Sequence, residues 1–132
     1  KTIPREQIVE QLIRPLNPQA EVRNSFTTVP GSPAYDQIVE ANGMADEYAE
    51  VDIEGAAALL TEAGVTTPVT VRLLFDPNNT RRQNQYELIR QSAEQAGFDV
   101  QPYQVQSDWG TDLSNATSFY DAALFGWQST ST

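Results

Sequence analysis

Carboxylates dominate the reactive side chains of this 132-residue sequence: eighteen Asp and Glu stand against eight Lys and Arg, with no histidine and no cysteine. A Ser-His-Asp or Cys-His catalytic unit, and the usual imidazole or thiolate zinc site, are therefore excluded. Paired carboxylates remain as acid/base candidates, for example Asp46 with Glu47 or Glu50 with Asp52. Such chemistry needs burial that shifts a carboxylate pKa, and these pairs sit in a polar run, so they read as solvated charge. Calcium-type spacing of oxygen ligands around a glycine is missing. No catalytic residue, metal ligand or cofactor is assigned. Arg81 and Arg82 follow Asn78-Asn79 at a helix start and could help helix N–H groups hold an anion. Without a glycine-rich loop, they read as a solvated helix end.

The residue most informative about binding is Trp127, which directly follows Gly126 and the apolar run Ala122-Ala123-Leu124-Phe125. In open parallel sheets, ligands bind beyond the carboxyl ends of strands, and a glycine there admits a ligand close to the backbone. The indole is then either a wall of a ligand pocket or a core ring closing one end of the sheet, and spacing leaves both open. Asn24 and Ser25, in a long proline-punctuated loop, are secondary candidates for rim contacts. Trp109, on a short amphipathic stretch, reads as core.

Elements that position these residues follow from periodicity and punctuation. Pro4 suits a first helical position, and Ile8, Leu12, Ile13 and Leu16 mark one helix face ending near Arg14-Pro15. A loop follows, with one short extended piece around Val22. Ser32-Pro33 opens a short helix through Tyr35, Ile38 and Val39 to Asn42-Gly43. Asp52 caps a clearer helix, with Ile53, Ala56, Ala57, Leu60 and Ala63 on one face and Gly64 as its stop. Beyond Pro68 the period becomes two: Val69, Val71, Leu73 and Phe75 form one face of a strand. A turn at Asp76–Thr80 caps a helix bearing Tyr86, Ile89, Ala93 and Ala96, which Gly97 ends, and a strand from Phe98 to Val105 follows. Asp108 caps a short helix with Trp109 and Leu113. Ala122–Phe125 then reads as a strand buried on both faces of a parallel sheet. The result is a β-α-β-α-β half, with parallel pairing and right-handed crossovers, covered by helices from the first half.

A net charge of −10 argues against nucleic acid and anionic membrane surfaces as partners, because both are held by Lys and Arg. No apolar run is long enough to span a bilayer, and no secretion signal opens the sequence. The absence of cysteine fits a cytosolic protein and an exported one equally. The abrupt start and end read as those of a piece cut from a longer chain.

At this point the residues match a family. Arg5-Glu6-Gln7-Ile8-Val9, Ser32-Pro33-Ala34-Tyr35 and Ala57-Ala58-Leu59-Leu60-Thr61-Glu62-Ala63-Gly64 occur in order, followed by Val71-Arg72-Leu73-Leu74-Phe75, Gln95-Ala96-Gly97-Phe98-Asp99-Val100 and Tyr120–Trp127. Their order over nearly the whole chain resembles the second lobe of family 5 extracellular solute-binding proteins, the oligopeptide, dipeptide and nickel receptors of ABC importers. The resemblance implies an α/β fold: a three-layer lobe of the type II periplasmic-binding-protein architecture, with a mostly parallel sheet and helices on both faces. It implies residues 1–132 as one lobe, whose partners are a small solute (an oligopeptide first among candidates), ABC permease subunits and the first lobe of the same receptor. It implies an extracytoplasmic location, in the periplasm or as a surface lipoprotein, and no enzymatic activity. Many such peptide receptors carry an acid a few positions after Gly-Trp to hold the ligand's amino terminus. Here Gln128-Ser129-Thr130-Ser131-Thr132 follows, so the resemblance carries no α-amine anchor to this chain. Two other classes stay in view: a carboxylate-based α/β hydrolase domain and a non-catalytic interaction domain. Converging carboxylates in a concave site would mark the former.

Overall fold

Short polar side chains set where three of the helices begin. The computed structural model describes residues 1–115 and 117–126. It contains α1 (Arg5–Leu12), α2 (Tyr35–Asn42), α3 (Met44–Glu47), α4 (Ile53–Glu62), β1 (Val69–Leu74), α5 (Thr80–Glu94), β2 (Phe98–Pro102), α6 (Trp109–Ser114) and β3 (Ala122–Ala123). Asp52 Oδ1 accepts from the Gly55 N–H at 2.8 Å, Asn79 Oδ1 from the Arg82 N–H at 3.2 Å, and Asp108 Oδ1 from the Thr111 N–H at 2.9 Å. Each bond satisfies one of the orphan donors of a first turn, and so fixes the start of α4, α5 and α6. Gly97, at φ +99°, turns the chain from α5 into β2, and a Cβ there would lie 3.0 Å from Thr67 Cγ2. Only glycine meets both conditions.

The three strands are parallel, in the order β2-β1-β3, so the fold is α/β as expected. β1 pairs with β2 from Val69↔Phe98 to Leu73↔Pro102, and with β3 through Leu73↔Ala122 and Leu74↔Ala123. Alternation sends Val71, Leu73 and Phe75 to one face, where they meet Tyr86, Ile89 and Ala93 of α5 and Val100 of β2. Ile8 of α1, Phe98 and Leu124 pack against this cluster. Tyr86 is a buried polar-tipped ring with its needs met: it stacks on Phe75 at 5.2 Å and donates its hydroxyl to the Val100 carbonyl at 3.1 Å. On the opposite face Leu74 is 0 % exposed, so that face is covered at the carboxyl end of β1, while Thr70 and Arg72 stand exposed.

Several expectations need correction. Leu16 is 80 % exposed, because α1 stops at Leu12 and the Ile13 carbonyl accepts from the Leu16 and Asn17 N–H groups in a closing turn that carries Leu16 outward. Ser32 does not cap α2. Its hydroxyl is buried without a partner, and the helix starts later, after Ala34. No strand forms around Val22, and β2 ends at Pro102 rather than Val105. The last strand is only Ala122–Ala123. It pairs on one side within the described sheet, which leaves Ala122 and Phe125 exposed where burial on both faces was expected.

Candidate functional site at the carboxyl edge of the sheet

From the carboxyl end of β1 the chain turns through α5 toward β2 on one flank, whereas β3 lies on the other flank. The carboxyl ends of β1 and β3 are therefore neighbours at one end of the sheet, the edge where parallel sheets place their ligands. Phe75 and Asp76 leave β1 at this edge, and Leu124, Phe125 and Gly126 leave β3. Asp76 Oδ1 accepts from the Asn78 N–H at 2.9 Å, which tightens the turn into α5.

Gly126 and Arg82 meet here. A Cβ at position 126 would lie 3.2 Å from Arg82 Nη2, so glycine gives the guanidinium its close approach to the backbone. Arg82 is half-buried, donates Nη1–H to Gln85 Oε1 at 2.8 Å, and has no carboxylate partner among the described residues. Burial, with the neighbouring Arg81 charge second, pulls its pKa below the ordinary guanidinium value. Lys1, Arg14, Arg72 and Arg90 are ion-paired, whereas Arg82, like Arg5, Arg23 and Arg81, has no carboxylate partner among the described residues. The rim therefore carries a half-buried guanidinium without a carboxylate partner among the described residues. The Trp109 ring lies 6.0 Å from that of Phe125, adding an aromatic pair after β3.

β3 is fastened by Asp121. Its carboxylate Oδ2 accepts from the Arg72 N–H at 2.8 Å and from Arg72 Nε–H at 2.8 Å, and Oδ1 accepts from Nη2–H at 3.0 Å. These bonds to the Arg72 side chain and N–H hold the Asp121 carboxyl down at about 2.

Of the residues singled out from sequence, Gly126 stands at this rim and Trp127 lies outside the described residues. Asn24 lines a different cavity, of about 560 Å³, formed by the amino-terminal segment, α1 and the stretch around α3, with Arg5, Glu6 and Glu50 among its walls. Its Oδ1 accepts from Arg5 Nη2 at 2.6 Å, its N–H donates to the Tyr35 hydroxyl at 3.0 Å, and its carbonyl accepts from Asn42 Nδ2 at 2.9 Å. Ser25 is 4 % exposed, and its Oγ accepts from the Thr27 N–H, the Thr28 N–H and the Thr28 hydroxyl at 3.2, 3.1 and 2.9 Å. Both residues are thus committed to the fold of their loop. Spacing alone read Arg82 as part of a solvated helix end, and only the sheet order, which turns that helix start toward the strand ends, gives it a place at the rim.

Among the described residues no group of three or more His, Cys, Asp or Glu could hold a metal ion. Asp52, one of the candidate acid/base residues, is an N-cap and pairs with Lys1 at 2.8 Å, and that hydrogen bond is the main reason its pKa lies below the usual carboxylate range. Asp112 is 2 % exposed and accepts the Gln106 N–H at 2.7 Å, holding the loop after β2. Among the described residues no helix is long and apolar enough to cross a membrane.

The sequence profile described as bacterial extracellular solute-binding proteins, family 5 Middle, matches residues 2–132. No curated protein and no solved structure matches the chain. With a parallel α/β sheet and a match over nearly its full length, the chain belongs to the family 5 bacterial extracellular solute-binding proteins, the solute-capturing components of ABC importers.

Proposed function

We propose that residues 1–132 form one lobe of a two-lobe receptor that captures a short peptide and presents it to an importer, without changing it chemically. The ligand sits at the carboxyl edge of the sheet. Arg82 holds an anionic group of the ligand, Gly126 gives that group access to the backbone, and Trp127, next in sequence, walls the pocket. Asn24 and Ser25, the other two candidates, brace the loop beside α1 and α2 and take no part at this edge.

The observation that supports this reading is the Arg82 guanidinium, without a carboxylate partner among the described residues, lying against Gly126 at the carboxyl edge of β1 and β3. A half-buried cation with no carboxylate beside it gains from an incoming carboxylate, since the new charge-assisted bond displaces no internal ion pair among the described residues. A peptide supplies one at its carboxyl terminus. Charge recognition by this lobe then runs through the carboxylate, since Gln128-Ser129-Thr130-Ser131-Thr132 carries no acid to take the amine there. One lobe gives one face of contact, and closure of the other over it supplies the rest.

Calorimetric titration of the full-length receptor with tri-alanine and with its C-terminal amide tests the reading. Arg82→Ala should weaken tri-alanine binding by about 10–100-fold, the worth of a hydrogen bond to a charged group, and leave the amide's weaker binding unchanged. Equal loss for both peptides would remove Arg82 from the carboxylate subsite. If the unmodified receptor bound neither, the peptide assignment would fail. Recovery of cleaved tri-alanine would show the protein to be an enzyme.

A further inference from the structure

β3 has little to fix its position. It pairs with β1 over 2 residues, and two backbone bonds bracket it: the Asp121 N–H donates to the Arg72 carbonyl at 2.9 Å, and the Leu124 N–H to the Leu74 carbonyl at 2.8 Å. Strand register is usually set by one polar and one apolar face. Ala122-Ala123-Leu124-Phe125 has no such alternation, so a one-residue slip would still present apolar side chains to both faces. The Arg72 N–H points toward β3 at the level where the strand has not yet begun, and there the Asp121 carboxylate takes it. The same carboxylate also grips the Arg72 guanidinium through both oxygens. An acidic side chain thus occupies the ladder position that a backbone carbonyl would otherwise fill.

We propose that the Arg72–Asp121 pair is a register lock for β3, and that both are positioning residues which place Gly126 against Arg82. The functional half of this inference rests on the ligand site proposed above; the register half stands on the sheet geometry alone. A slipped β3 would carry Gly126 out of register with Arg82 and put a side chain, from Phe125 or from position 127, at the point of close approach. The lock acts at a distance from the ligand. It is exposed, and so it contributes through geometry rather than through burial.

Hydrogen exchange in the full-length receptor, read at single amides, tests the register half. In Asp121→Ala the Leu124 amide should exchange about tenfold faster or more, the effect of losing charge-assisted bonds. The amides of Val69 and Tyr103, which donate to Gly97 and Leu73 across the β1–β2 side, should stay within about twofold of their starting rates. Asp121→Asn keeps an acceptor for the Arg72 N–H and should fall between the two, and it decides the matter if the alanine variant does not fold. Unchanged exchange at Leu124, or equal loss of protection at Val69 and Tyr103, would overturn the lock. Tri-alanine affinity tests the functional half: Asp121→Ala should weaken binding, yet the Asp121→Ala/Arg82→Ala double variant should bind no worse than Arg82→Ala alone. Additive losses would show that Asp121 does not act through Arg82. Failure of the unmodified receptor to bind tri-alanine would sink the peptide reading and leave the exchange result to decide the lock.

Discussion

Residues 1–64 and residues 69–102 hold themselves together by different means. Leu73, Leu74, Phe75, Tyr86, Ile89, Ala93, Ala96 and Val100 are buried in the second region, against only Pro4 and Ala56 among the apolar residues of the first. The first region is laced by polar bonds: Lys1 to Asp52, Arg5 to Asn24, Asn24 to Tyr35 and Asn42, and Arg23 to the Phe26 and Thr28 carbonyls. Apolar burial scales with area and resists opening, whereas exposed hydrogen bonds exchange with water at little net cost. The comparison teaches that β1 and β2, at the carboxyl edge of whose sheet the candidate site lies, stand on the apolar core, and that the polar loop over residues 22–28 should open locally at lower cost than the sheet.

The sharpest way to break this comparison is to cut the core. Leu74 is 0 % exposed at the carboxyl end of the central strand, so Leu74→Ala should cost about 2–5 kcal/mol of unfolding free energy in a denaturant titration. A loss below about 1 kcal/mol would mean that the sheet is not the stable centre. A smaller, local effect sharpens it from the other side. Ser25→Ala removes the acceptor of three bonds within its loop, and should raise exchange at the Thr27 and Thr28 amides about tenfold while leaving the Tyr103 amide alone. Coupled loss at Tyr103 would show that loop and sheet open as one.

The same contrast explains what was legible in the sequence. The caps at Asp52, Asn79 and Asp108 are local, one residue bonding an N–H three positions on, so α4, α5 and α6 could be placed from spacing. β1 and the Tyr86-Ile89-Ala93 face of α5 followed from periodicity, because both address one core. The polar region was harder to read. Ser32-Pro33 has the composition of a helix start, yet the chain turns first, with the Tyr35 N–H on the Ser32 carbonyl at 3.0 Å, and the helix begins afterwards. Four-residue α3 has no periodicity to detect. At the site, Gly126 was legible from its place after an apolar run, whereas Arg82 and Asp121 draw their meaning from residues 44 and 49 positions away in the chain. Such pairs belong to sheet order and register, which no short window of sequence contains.

The smallest expected effect concerns acid. Asp121 in the folded chain titrates at about 2, below the ordinary 3.8, because its carboxylate accepts from the Arg72 side chain and N–H. A carboxyl depressed by folding stabilises the native state wherever it is ionised in both states. Its contribution is therefore present above about pH 4 and is lost as the pH falls from about 4 through about 2. The pair is solvent-exposed, so screening keeps the effect small, in the range typical of surface ion pairs. The stability difference between the unmodified chain and Asp121→Asn, measured by urea titration, should accordingly be flat from about pH 8 to pH 5 and shrink toward zero near pH 2. Added salt should shrink the same difference at neutral pH, because the guanidinium–carboxylate attraction is screened while the hydrogen bond from the Arg72 N–H is kept by the asparagine. A difference that persisted undiminished at about pH 2 would assign the variant's effect to packing at the start of β3 rather than to the charge, and the ion pair would then be incidental to the strand's position.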